Sequence, residues 1–120
     1  MEFDSSQSLH RQALEALEAG RLEESVNLLR ATVQESPSDS QAWNDLGVVM
    51  EALGNPCQAA HCYAQALRSQ PFHREARANL FAMEMQTLAR RRLREQAAQI
   101  VMSRIAPAGP LPRAARANSL

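Results

Sequence analysis

A period of 34 residues constrains this chain more than any other feature. Leu9 and Trp43 are 34 apart, as are Gly20 and Gly54, and Pro37 and Pro71. Three landmarks of different chemistry keep one phase, and a fixed period in the range of about 20 to 50 residues marks a stacked-repeat architecture. The apolar pattern repeats in the same phase: Ser25 and Leu29 align with Ala59 and Tyr63, and Leu46 with Leu80. The alignment sets three units, about 6–39, 40–73 and 74–107, in a chain of 120 residues. Such an array buries surface between neighbouring units and needs no single central core.

Each unit reads as a helical hairpin. In the second, Ser40 is placed as N-cap, and Trp43, Leu46, Gly47 and Met50 recur at three-and-four spacing along one face until Leu53. Gly54-Asn55 supplies a turn with positive φ, and Pro56 suits the first position of a new helix because its missing N–H would be unpaired there. The second helix carries Ala59, Tyr63, Ala66 and Leu67 on one face and ends before Pro71. Small residues at Gly47, Ala59 and Ala66 allow close helix approach, so Trp43 and Tyr63 are expected to fill the hairpin interior, with Trp43 largely buried. The first unit repeats the scheme with Leu14, Leu17, the Gly20-Arg21 turn, Leu22, Val26, Leu29 and Val33.

Composition agrees with an all-α chain. Aromatic residues make up 4%, thin for a sandwich or barrel, and Ala is abundant. Every basic residue is Arg, which together with the Ala content points to a GC-rich, bacterial source. The net charge of +0 hides an asymmetry: residues 1–89 hold 6 Arg against 12 acidic residues, and residues 90–120 hold 7 Arg against Glu95 alone. The early Glu2 and Asp4 fit no secretory signal, and no run reaches the roughly 18 apolar residues of a membrane span, so a cytoplasmic location is expected. Cys57 and Cys62 are five apart and do not form a CxxC pair; they read as reduced structural thiols.

Trp43-x2-Leu46-Gly47-x2-Met50, followed by Ala59-x3-Tyr63, Ala66 and Pro71, resembles the tetratricopeptide-repeat signature, with Met50 where the motif usually has Tyr. The resemblance runs from about Ser6 to Ile105 and is uneven. The first unit has Gln12-Ala13 in place of Leu-Gly and Ser25 in place of Ala; the third keeps Ala76, Asn79 and Leu80 but has Leu88 where a turn glycine belongs. The resemblance implies an all-α, right-handed solenoid of helical hairpins over residues 1–107, with the third unit a degenerate cap. Residues 85–94 contain neither Gly nor Pro. Two conformations compete there, a turn near Gln86 to Leu88 or one long helix, and the period favours the turn. A second cap helix at about Ala89 to Ile105 would then show Leu93, Ala97, Ile100, Val101 and Ile105 as an apolar stripe. The Pro, Ala and Arg residues of 108–120 read as a flexible tail.

Catalytic constellations do not occur. The chain has no glycine-rich phosphate loop, no GxSxG, no HExxH and no calcium loop, so neither an enzyme nor a cofactor is expected. Cys57 and His61 form an i,i+4 pair, but a stable zinc site takes three or four ligands, and His10 and His73 lie in distant parts of the repeat. No metal site is expected, and His61 reads as a solvent-facing helix residue.

Two surfaces remain. Arg90, Arg91, Arg92 and Arg94 form a basic cluster that fits an anionic partner, though no aromatic residue interleaves for base stacking and the plainer reading is a solvated helix face. The family resemblance implies a concave groove lined by the first helix of each hairpin, where a peptide or helix of another protein binds. Here its candidate residues are His10, Arg11, Gln41, Asn44, Asp45, Val48, Glu75 and Asn79. Asn44 and Asn79 offer the donors and acceptors to pair with a peptide main chain. Family members that clamp a C-terminal carboxylate use paired Lys and Asn on these helices; Asp45 and Glu75 at matching places would repel one, which excludes that role. The expectation is a protein-binding adaptor whose partner is another protein in preference to nucleic acid. The alternatives are self-association through the stripe near Ile100 and Val101, giving a homo-oligomer, and an anion or nucleic-acid binder acting through the arginine cluster at 90–94.

Overall fold

The computed structural model describes residues 5–105, which contain five α-helices and no strand. They are α1 (Ser5–Glu18), α2 (Leu22–Glu35), α3 (Ser40–Ala52), α4 (Pro56–Ser69) and α5 (Arg74–Ile105). The chain divides into two compact units between Met83 and Glu84.

In the first unit, α1 packs on α2, α3 on α4, and α2 on α3, which stacks two hairpins as the period requires. The turns inside the two hairpins are copies of each other. Gly20 and Gly54 adopt φ of 79° and 81°, the left-handed region that glycine enters without steric cost. Arg21 N–H donates to Ala16 O at 2.8 Å and Gly20 N–H to Leu17 O at 3.0 Å; Asn55 N–H donates to Met50 O at 2.9 Å and Gly54 N–H to Glu51 O at 3.0 Å. These paired bonds close a helix C-terminus in the Schellman manner. Pro56 takes the first helical position of α4.

The links between units repeat as well. Asp39, not Ser40, caps α3: its carboxylate accepts from Ala42 N–H at 3.0 Å, and Ser40 is already the first helical residue. The carboxylate reaches the free N–H of the first turn from outside the helix, where Ser40 cannot. Thirty-four residues later His73 does the same work, its Nδ1 accepting from Ala76 N–H at 3.1 Å.

The core runs through both hairpins, with Leu29, Val33, Ala42, Leu46, Val49, Met50 and Tyr63 buried in one cluster. Tyr63 fills the hairpin centre and is fully buried. Trp43, expected there too, is only half-buried and packs against the cluster from its edge, because its indole N–H is held outward by Pro37 O at 2.8 Å.

The expected turn near Gln86 to Leu88 does not form. α5 continues unbroken for 32 residues, so the third unit contributes one helix and no second hairpin arm. Glu84, Met85, Gln86, Leu88, Ala89 and the arginines that follow are all good helix formers, and no residue with easy access to positive φ interrupts them. In the unit beginning at Glu84, every described residue is exposed, including Leu93, Ile100, Val101 and Ile105 of the expected stripe. Residues 106–120, the expected tail and the end of the third repeat, lie outside the described residues.

Candidate functional site

The first helices of the repeats are joined by a ladder of side-chain hydrogen bonds that steps from α1 to α3 to α5. His10 Nε2 meets Asp45 Oδ2 at 2.7 Å across α1 and α3. On the same carboxylate, Asp45 Oδ1 accepts from Gln41 Nε2 at 2.9 Å. Gln41 Nε2 also approaches Glu75 Oε2 at 3.3 Å, and the same Glu75 oxygen accepts from Asn44 Nδ2 at 3.2 Å. Asn79 Nδ2 donates to Asn44 Oδ1 at 3.0 Å. His73 closes the ladder: since its Nδ1 accepts from a backbone N–H, its proton sits on Nε2, which donates to Gln41 Oε1 at 3.1 Å. Gln41 and Glu75 are 34 apart and so occupy equivalent places of consecutive repeats, while His10 with Asp45 and Asn44 with Asn79 are 35 apart, one residue beyond equivalence.

Six of the eight groove candidates therefore come together: His10, Gln41, Asn44, Asp45, Glu75 and Asn79 form one network. The other two remain outward, Arg11 exposed and Val48 at 40% exposure. Asn44 differs from the expectation that it meets a peptide. It is 1% exposed, and both ends of its amide are engaged within the protein. Its position is set by a carboxylate one repeat away, which helical spacing does not reveal. Arg90, Arg91, Arg92 and Arg94 are exposed, and among the described residues Arg91 alone of the four forms an ion pair, with Glu95 at 3.6 Å.

The residue pattern agrees with a comparison across known proteins, in which a model of the tetratricopeptide repeat family matches residues 16–82. The chain belongs to the tetratricopeptide repeat family. Tetratricopeptide repeat protein 7B of Mus musculus and of Homo sapiens are each 37% identical to it over 60 residues, covering 50% of this chain and 7% of theirs. The chain thus spans a small fraction of these relatives' length. Tetratricopeptide repeats generally mediate contacts between proteins. Among the described residues, no helix is long and apolar enough to cross a membrane.

Away from the ladder, this tetratricopeptide repeat pair forms an open, cleft-like cavity of about 450 Å³ between α2, α3 and α4, with Arg30, Gln34, Cys57, Gln58 and His61 exposed at its mouth. Trp43, Leu46, Met50, Val33 and Cys62 give it apolar walls, and Arg30 and His61 stand among its polar lining. His61 packs edge-on against Trp43, with ring centroids 6.4 Å apart and planes at 87°. Burial pushes the Cys62 thiol up to about 11, opposed in part by the Arg30 guanidinium. By sequence alone these residues are core and ordinary helix surface. The one available signal is Met50, which stands where the repeat motif usually has a tyrosine.

Proposed function

We propose that the chain is a protein-binding scaffold that holds an extended segment or a helix of a partner protein against the face formed by α1, α3 and the first turns of α5. The ladder from His10 to Asn79 carries this reading. A network that fixes three helices side by side before any partner arrives lowers the ordering cost of association. Arg11, Leu14, Val48, Glu75 and the accessible part of Asn79 present mixed apolar and polar chemistry around that ladder. Such a surface suits a short polypeptide, whose specificity rests on a few side chains. We place the activity in the cytoplasm and assign the chain no catalytic role.

The test uses a partner recovered on the full-length chain. Its affinity is measured for Val48→Arg combined with Asn79→Ala, and separately for Arg90, Arg91 and Arg94 changed to Ala. The face reading expects the first variant to lose at least about tenfold, the equivalent of one hydrogen bond and a blocked apolar contact, and the second to change little. The reverse result would move the site to the arginine cluster.

A second reading is favoured by one observation. Ile100, Val101, Met102 and Ile105 stand exposed on α5, and apolar surface of this kind suits self-association. Light scattering on the purified chain separates a monomer from an oligomer.

A further inference from the structure

We infer that the cavity between α2, α3 and α4 is a binding site for a small apolar molecule bearing a single carboxylate. Its volume of about 450 Å³ lies within the range of roughly 300 to 1,000 Å³ typical of small-molecule sites. The walls ask for apolar content. Trp43 has already committed its only donor to Pro37 O, so what it offers the cavity is ring surface, and Leu46, Met50 and Val33 offer only hydrocarbon or thioether.

The polar side of the cavity asks for an anion. No carboxylate lines it, and Arg30 does. Among the described residues the ion pairs are His10 with Asp45, Arg21 with Glu24 and Arg91 with Glu95, and Arg30 belongs to none of them. The planar fork of a guanidinium matches a carboxylate with two parallel hydrogen bonds, and Arg30 presents that fork at the edge of the apolar lining. Arg30 and Cys62 line the same cavity, and the guanidinium partly opposes the upward push of burial on that thiol. A neutral ligand would gain nothing from the arginine's charge, and a cationic one would be repelled by it. The cavity shares no side chain with the hydrogen-bonded ladder, so this inference stands apart from the proposed protein-binding face.

Trp43 is the single tryptophan of the chain and lines the cavity, so its emission reports on occupancy. The full-length protein is titrated with decanoate below its micellar concentration, with decan-1-ol and with decylamine. The expected result is a saturable one-to-one response to decanoate that is weaker for decan-1-ol and absent for decylamine. Arg30→Gln, a change at an exposed position whose thermal melt is measured alongside and expected to match wild type, should weaken decanoate about tenfold and leave decan-1-ol unchanged. As an independent readout, decanoate should slow alkylation of Cys57, the exposed thiol of the lining. No saturable response, or equal decanoate affinity in wild type and Arg30→Gln, overturns the assignment. So does a dimer that shields Cys57 without any ligand, since a second copy would then cover the cavity.

Discussion

The ring of Tyr63 occupies the space that a side chain on Gly47 would need. A Cβ built on Gly47 meets Tyr63 Cε1 at 2.5 Å and Cδ1 at 2.8 Å. Tyr63 is itself fully buried, and its hydroxyl donates to Glu51, one turn further along α3. In the first repeat the equivalent positions hold Ala13 and Leu29, both fully buried: the helix regains a methyl where its partner has the smaller side chain. The glycine is kept for volume, not for conformational freedom.

Gly47→Ala should therefore destabilise the protein. In an ordinary helix interior the same change stabilises by about 0.5 to 1 kcal/mol. Here overpacking against a fully buried ring should reverse the sign, with a net loss of about 1 to 3 kcal/mol. Chemical denaturation measures it, and a gain in stability would show that the two helices are not packed as described.

Ser25→Ala should act in the opposite direction. Ser25 is fully buried, its Oγ has no hydrogen-bond partner, and the aligned residue of the second repeat is Ala59. Removing a desolvated hydroxyl while improving helix propensity should stabilise by about 1 to 2 kcal/mol. A melting temperature that falls would mean that the hydroxyl is bonded in solution.

Alkaline pH should weaken the fold. Burial raises the Cys62 thiol from 9.0 to about 11, and burial with the Glu51 hydrogen bond raises the Tyr63 phenol above its ordinary 10.0. Both groups hold their protons more tightly when folded, so the unfolded chain binds fewer protons as pH climbs above about 9 and stability falls with rising pH. The slope reaches about 1.4 kcal/mol per pH unit for each group while only its unfolded form is ionised. Denaturant midpoints between pH 8 and 11 measure this slope, and Cys62→Ala should reduce it. In native protein at pH 8, Cys57 should alkylate while Cys62 stays unmodified.

Glu75→Ala should cost stability although Glu75 is exposed. Its Oε2 accepts from both Gln41 and Asn44, and the buried Asn44 amide would lose that acceptor. A loss of about 1 to 3 kcal/mol is expected, against within about 0.5 kcal/mol for an unpaired surface glutamate. Glu75→Gln should recover part of it, since the amide oxygen still accepts. A double-mutant cycle with Asn44→Ala should show coupling between the two positions.

How far each feature could be read from the sequence follows the range of the interaction behind it. The Gly20 and Gly54 turns, Pro56 at a helix start, and the Ala59, Tyr63 and Ala66 face are local signals, and the structure reproduces them. The same local logic expects a turn near Gln86 to Leu88, yet a period inherited from earlier repeats supplies no residue that can break a helix there. The ladder was legible as a set of residues on one face. Its internal bonding was not, because the acceptor for Asn44 lies 31 residues away and the partner of His10 lies 35 away. The bulk of Trp43 points to the interior, whereas its bond to Pro37 O leaves it half-buried at the wall of a cavity that only the packing of three helices creates.

The central claim is that a partner protein lies on the face built by α1 and α3, and site-specific photo-crosslinking tests it most directly. The photoreactive amino acid p-benzoylphenylalanine is placed singly at Arg11 and Val48 on that face, at Asn27 on α2 and Arg68 on α4 away from the ladder, and at Arg92 in the basic cluster; all five positions are exposed. After irradiation with the partner, peptide mapping by mass spectrometry should find one contiguous partner segment joined to positions 11 and 48 and none joined to 27, 68 or 92. Crosslinks concentrated at 92, or at 27 and 68, with positions 11 and 48 silent, would contradict the account.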